Sequence, residues 1–180
     1  MRAPRVLKRA LLAVFVVLAG GSAGIALHVA TTGGDTVFSW KRPDNLGLHD
    51  GRLAACKRSP NCVSSQAEPS DPVHYVAPIP FQGTAQEAIA EARATVEGME
   101  RVRVIREMPG YLYAEFRSRL MRFVDDVEFV FDEEAQVLHV RSASRVGRRD
   151  FGVNRARVEA IRSTLLARRH AAAAGEPAAP

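Results

Sequence analysis

Phe123-Val124-Asp125-Asp126-Val127-Glu128-Phe129-Val130-Phe131, then Asp132-Glu133-Glu134-Ala135, then Gln136-Val137-Leu138-His139-Val140-Arg141-Ser142-Ala143-Ser144, is the stretch that decides the fold. Read at a period of two, Phe123, Val127, Phe129 and Phe131 fall on one face of an extended strand, and Leu138 and Val140 on one face of the next. The acidic turn between them is short, so the strands pair antiparallel. Requiring the apolar faces to meet sets Phe129 opposite Leu138 and Val127 opposite Val140, because a slip of one residue would turn both partners to water. The same register sets Asp126 opposite Arg141, Glu128 opposite His139 and Asp125 opposite Ser142.

Upstream, Arg101 to Glu107 and Tyr111 to Ser118 read as a hairpin. Met108-Pro109-Gly110 joins them, with Pro and Gly supplying the fixed and the positive φ of a tight turn. Thr84-Ala85-Gln86-Glu87 has the form of a capping box, and Ile89, Ala92, Val96 and Met99 follow at helical spacing up to about Gly98. A last helix starts near Asp150 or Asn154 and carries Val158, Ile161 and Leu165 on one side. The order is α-β-β-β-β-α, which predicts one α+β domain over residues 73–170: a four-stranded antiparallel sheet with two helices over its apolar face.

Arg2, Arg5, Lys8 and Arg9 precede an uncharged apolar run from Ala10 to about Ala30. As a helix at about 1.5 Å per residue, that run can cross a bilayer. A cleaved signal peptide also fits, with Gly21-Ser22-Ala23 as the small residues before the cut. Both readings of residues 1–30 export the remainder. The first puts the chain in the inner membrane with a cytoplasmic N-terminus and a periplasmic C-terminal domain; the second leaves it periplasmic or secreted. Residues 31–72 form an irregular lead-in with Trp40 as its one large anchor, and the Ala/Pro-rich residues 171–180 are expected to be a disordered tail.

Cys56 and Cys62, the only two cysteines, sit in Cys56-Lys57-Arg58-Ser59-Pro60-Asn61-Cys62. The loop is short enough to bridge, and an exported chain allows the bridge to persist. The formal charge of +5 misleads until it is divided, since all 20 acidic residues follow the apolar run. Residues 31–140 carry 12 basic and 17 acidic side chains, while 141–170 carry 9 and 2. The excess is local rather than a stripe interleaved with aromatics, and export removes nucleic acid as a partner.

Three blocks together resemble an uncharacterised family, domain of unknown function 1499: Ser59-Pro60-Asn61-Cys62-Val63-Ser64-Ser65; Phe123-Val124-Asp125-Asp126-Val127-Glu128-Phe129; and Arg141-Ser142-Ala143-Ser144-Arg145-Val146-Gly147 running on through Asp150, Gly152, Asn154 and Arg155. The resemblance covers about residues 50–168. It implies a mostly bacterial protein, often exported or anchored, and carries over no catalytic residues.

The alternation that turns Val127 inward also turns Asp125 inward, beside Ser142 and Ser144. A buried carboxylate requires a partner, for which Ser142, Ser144 or Arg145 is at hand. Asp150, Asn154 and Arg155 stand where the last strand hands over to the last helix, where free N–H groups favour anions, with Arg148 and Arg149 near. The expected function is therefore a membrane-anchored envelope domain that binds a small anionic or amphiphilic ligand, a lipid head group or a protein partner. Its candidate site is Asp125, Ser142, Ser144, Arg145, Asp150, Asn154 and Arg155. A hydrolase or transferase using Asp125, Ser142 and Arg145 is the first alternative, and a purely structural or assembly module the second. No cofactor or metal is expected: zinc at Cys56, Cys62, His49 and His74 matches no common spacing. Ser64 and Ser65 have no detectable base, and His139 is expected beside Glu128.

Overall fold

The α+β class is found in the computed structural model, which describes residues 41–174, but the sheet has six strands where four were expected. In chain order the described elements are β1 (Cys62–Ser64), β2 (Ile79–Pro80), α1 (Ala85–Glu97), β3 (Val102–Met108), β4 (Tyr111–Arg117), β5 (Val124–Asp132), β6 (Val137–Ser144) and α2 (Val153–Ala173). The sheet order is β1-β6-β5-β4-β3, antiparallel throughout, and β2 also pairs with β6. Both extra strands lie along one edge of β6: Cys62 faces Ala143 near its end, and Ile79 faces Leu138 near its start. Between them Ser65 takes over the ladder, its N–H donating to the Val140 carbonyl and its hydroxyl oxygen accepting the Val140 N–H. An edge that would expose unpaired backbone is thus closed by segments of two and three residues, too short to show a period. The lead-in expected to be irregular therefore contributes a strand.

The pairing of β5 with β6 differs from expectation by two residues. Phe129 faces Val140, Phe131 faces Leu138, Val127 faces Ser142 and Asp125 faces Ser144; on the other face Glu128 meets Arg141 and Val130 meets His139. A shift of two keeps every side chain on its own face, so alternation cannot detect it. The turn decides it. Asp132 pairs with Val137 and its carboxylate accepts the N–H groups of Glu134 and Ala135, while Gln136 takes a positive φ of 52°.

The β3–β4 hairpin turns through Pro109 and Gly110, whose φ of 73° is the positive value this turn needs. The capping box of α1 is formed: Thr84 Oγ1 accepts the Glu87 N–H, and the Glu87 carboxylate accepts the Thr84 N–H. Ala88, Ile89, Ala92 and Val96 of α1 and Val158, Ile161 and Leu165 of α2 are buried on the sheet face of Leu112, Ala114, Phe129 and Leu138. Each fully buried large apolar side chain contributes about 1.5–3 kcal/mol. Helix α2 runs on to Ala173, so the expected tail is helical in its first residues.

The charged face of the sheet is covered as well. Leu46 and Leu53 of the lead-in pack there on Tyr111, Tyr113 and Val130, with Ile105 beside them. Among the described residues no helix is long and apolar enough to cross a membrane. The apolar run 10–30, Trp40 and the tail 175–180 lie outside the described residues.

Candidate functional site

The sequence places Asp125, Ser142, Ser144, Arg145, Asp150, Asn154 and Arg155 in one cluster, and the fold divides them. Asp125, Ser142, Ser144 and Asn154 do meet on the helix side of the sheet. Asn154 is fully buried, donating from Nδ2 to Ser144 Oγ at 2.9 Å and to the Asn61 carbonyl at 3.0 Å, and accepting from Ser142 Oγ at 2.5 Å. The charge partner of Asp125 is Arg157, whose Nη2 lies 2.6 Å from Asp125 Oδ2. Arg157 Nη1 donates to Asn154 Oδ1 at 2.7 Å and to Ser142 Oγ at 3.0 Å, and its guanidinium lies 4.9 Å from the centre of the Phe116 ring. The signal for Arg157 was in the sequence: Asn154, Arg157, Val158 and Ile161 fall on one helical face. These groups satisfy one another.

Arg145 is the correction. It comes directly after Ser144, the last residue of β6, and its side chain lies on the opposite face of the sheet, where its guanidinium bonds Asp126 at 2.6 Å, Glu115 at 2.5 Å and the Tyr113 hydroxyl at 2.9 Å. Asp150 occupies the start of α2, its carboxylate accepting the N–H groups of Gly152 and Asn154 at 3.2 and 2.8 Å. The anion expected at that helix terminus is thus the chain's own side chain. Arg155 reaches back to the carbonyls of Tyr75, Pro72 and Val73, tying the segment between β1 and β2 to the helix.

On the charged face, Tyr113 donates to Asp126 at 2.6 Å, and Arg42 of the lead-in joins from above with 2.6 Å to Glu115 and 3.2 Å to the Tyr113 hydroxyl. Glu128, fully buried, receives Arg141 at 3.0 Å, the Tyr111 hydroxyl at 2.8 Å and the Gly47 N–H at 2.7 Å. Arg141 Nε has no hydrogen-bond partner among the described residues. Burial alone would raise the Glu115 carboxyl, but the bonds from Arg145 and Arg42 and their charges pull it down to about 2. Burial, with Glu128 and Asp126 adding to it, pushes the hydroxyls of Tyr111 and Tyr113 well above the usual phenol range. Burial would lower Arg145, yet its bonds to Asp126 and Glu115 hold its proton more firmly than in water.

Beside this network lies a cleft of about 340 Å³ lined by Arg42, Pro43, Leu46, Ile105, Arg106, Tyr111 and Tyr113. A bulge between Val104 and Arg106 puts Arg106 opposite Tyr113, on the same face of the sheet. Arg106 is exposed and makes no ion pair among the described residues. A second cavity, about 490 Å³, opens between α1 and the β3–β4 turn, where Arg93 bridges Glu97 and Glu107. None of the seven residues expected from the sequence lines either cavity.

Two further sequence readings change. Ser65 does have a histidine beside it, His139 Nδ1 at 3.0 Å, and His139 Nε2 lies 3.8 Å from Asp132 Oδ2. Its oxygen already accepts the Val140 N–H and it is buried, so attack on a substrate would break the sheet edge. His139 faces Val130 rather than Glu128, and burial lowers its proton affinity. The Cys56–Cys62 disulfide is formed, with Cα atoms 5.6 Å apart, so neither sulfur is a thiolate for metal. Among the described residues no group of His, Cys, Asp and Glu is arranged to hold a metal ion.

No curated protein and no solved structure matches this chain. The model of the family described as protein of unknown function (DUF1499) matches residues 52–165, from the lead-in before the disulfide to the buried core of α2, and the chain belongs to that family.

Proposed function

We propose that the chain is an exported domain, held at the inner membrane by its N-terminal apolar segment with the folded part in the periplasm, and that it binds a small anionic or amphiphilic ligand without acting on it chemically. The observation that carries this reading is the exposed guanidinium of Arg106, without an ion-pair partner among the described residues, at the cleft walled by Leu46, Ile105 and two tyrosine rings. A charged head fits the guanidinium and an apolar stem fits the walls; the volume falls at the small end of ligand pockets, about 300–1,000 Å³. The tyrosine hydroxyls are held protonated and donate to carboxylates, so neither is available as a base.

Octyl phosphate is a suitable probe. Titrated calorimetrically into the full chain, it is expected to bind, and Arg106→Glu to weaken it about tenfold or more. Equal binding by wild type and Arg106→Glu would remove the cleft from consideration. Mass spectrometry of molecules that co-purify with the chain identifies the natural ligand. If nothing co-purifies and octyl phosphate does not bind, the structural or assembly reading stands in its place.

A hydrolase reading other than the one expected at Asp125, Ser142 and Arg145 has one observation in its favour, the 3.0 Å approach of Ser65 Oγ to His139. A fluorophosphonate probe decides it. Covalent labelling of Ser65 would favour hydrolysis, and an unlabelled serine is the result the buried hydroxyl leads us to expect.

A further inference from the structure

Phe151 and Leu120 are the most exposed large apolar side chains among the described residues, at 95% and 88%. The sheet register brings them to the same end of the molecule. Arg117 at the end of β4 faces Val124 at the start of β5, so the loop 118–123 closes that end; Asp125 faces Ser144, so the loop 145–152 departs beside it. Met121 and Val153 are exposed there too. Loop tips are ordinarily polar, and these are not.

Arg119, Arg122, Arg148 and Arg149 alternate with these apolar tips, all exposed and none in an ion pair among the described residues. A third loop reaches the same end, since the Ser144 N–H donates to the Asn61 carbonyl, and it carries exposed Lys57 and Arg58. The acidic groups nearby are committed elsewhere: Asp150 to the helix N–H groups, Asp125 to Arg157, Asp126 to Arg145 and Glu100 to Arg101. Phe151 also holds a left-handed backbone with φ of 54°, costly for a bulky residue, and so does Arg122. Strain that turns a phenyl ring out to solvent serves no packing inside the domain.

We propose that this end of the sheet is a docking rim for an anionic lipid bilayer, in which Leu120, Met121 and Phe151 enter the head-group region while the four arginines pair with lipid phosphates. Single apolar tips set among guanidinium groups match that interface, where phosphates lie just above acyl chains. A second copy fits less well, because a two-fold contact through this rim would oppose arginine with arginine. The rim is separate from the cleft at Arg106, and it adds a second contact to a chain that the proposed function already holds at a membrane through its N-terminal apolar segment.

The test is amide hydrogen exchange of the full chain reconstituted in vesicles of phosphatidylcholine alone or mixed with phosphatidylglycerol. Exchange in 118–123 and 146–152 is expected to slow about tenfold or more on the anionic vesicles only, and to recover at high salt. Leu120→Ser with Phe151→Ser, and separately Arg148→Glu with Arg149→Glu, are expected to abolish that protection while leaving the thermal unfolding midpoint unchanged. If one pair proves unstable, the other carries the comparison. Equal exchange on both vesicle types overturns the proposal. So does protection that appears without lipid and grows with protein concentration, which would make the rim a self-association surface. Arg106→Glu should leave the vesicle result untouched, so the cleft and the rim fail independently.

Discussion

Asp125 and Arg157 show how one buried charge dictates its surroundings. The carboxylate lies on the apolar face of β5, and the arginine from α2 neutralises it at 2.6 Å while also bonding Ser142 and Asn154. Removing one member strands the other in a low-dielectric site, so Asp125→Ala is expected to lose about 3–5 kcal/mol in urea unfolding. Replacing both, as Asp125→Leu with Arg157→Met, should recover most of that loss, because a paired charge is only weakly stabilising compared with apolar groups of similar size. A double variant as unstable as the single one would show that the pair contributes more than mutual neutralisation. At this scale the sequence indicated Asp125, Ser142, Ser144 and Asn154 together, from strand alternation and the strand-to-helix junction. It misassigned Arg145 because the expected partner was chosen by nearness in the chain, whereas Arg145 comes directly after Ser144, the last residue of β6, and neighbours along an extended backbone take opposite faces.

Among the elements, the turn of the β3–β4 hairpin and strand β1 are the most exposed to test. Gly110 has φ of 73°, and Gly110→Ala should destabilise by about 1 kcal/mol, read as a lower urea midpoint with unchanged slope. Strand β1 is three residues long and held from one side by the disulfide, since Cys62 is both its first residue and a partner in the bridge. Closing so short a loop stabilises by about 2 kcal/mol on the chain-entropy model, so reduction should weaken the fold by that order. Amide exchange should report it first at Val63 and Ala143, which flank the site. Exchange that accelerates uniformly would mean that β1 is not a local unit. The helices and the four long strands were legible because each carries enough residues for a period. Strands β1 and β2 were not, because two or three residues pairing with an edge carry no period at all.

For the whole molecule, acid should act in two stages. His139 is held below its ordinary 6.5 by burial, so the unfolded chain binds its proton first and stability declines as pH falls below about 6.5. Glu115 is held near 2 against an ordinary 4.5, so its contribution is complete above about pH 4.5 and is lost between there and about pH 2. Urea unfolding across that range should fall in both windows, and Glu115→Gln should flatten only the lower one. A wild-type profile flat below pH 4.5 would contradict the ion network around Arg145. By itself the sequence determined the α+β class, the capping box of α1, the hairpin turn and the faces of β5 and β6, because these follow from local periodicity and from which residues tolerate which φ. Only the tertiary structure decided the two-residue register, the closing of the β6 edge, the division of the expected site and the burial of the charged face beneath the lead-in. Each of those depends on segments distant in the chain meeting across the sheet, where the surrounding contacts rather than local preference select one of several patterns that alternation permits equally.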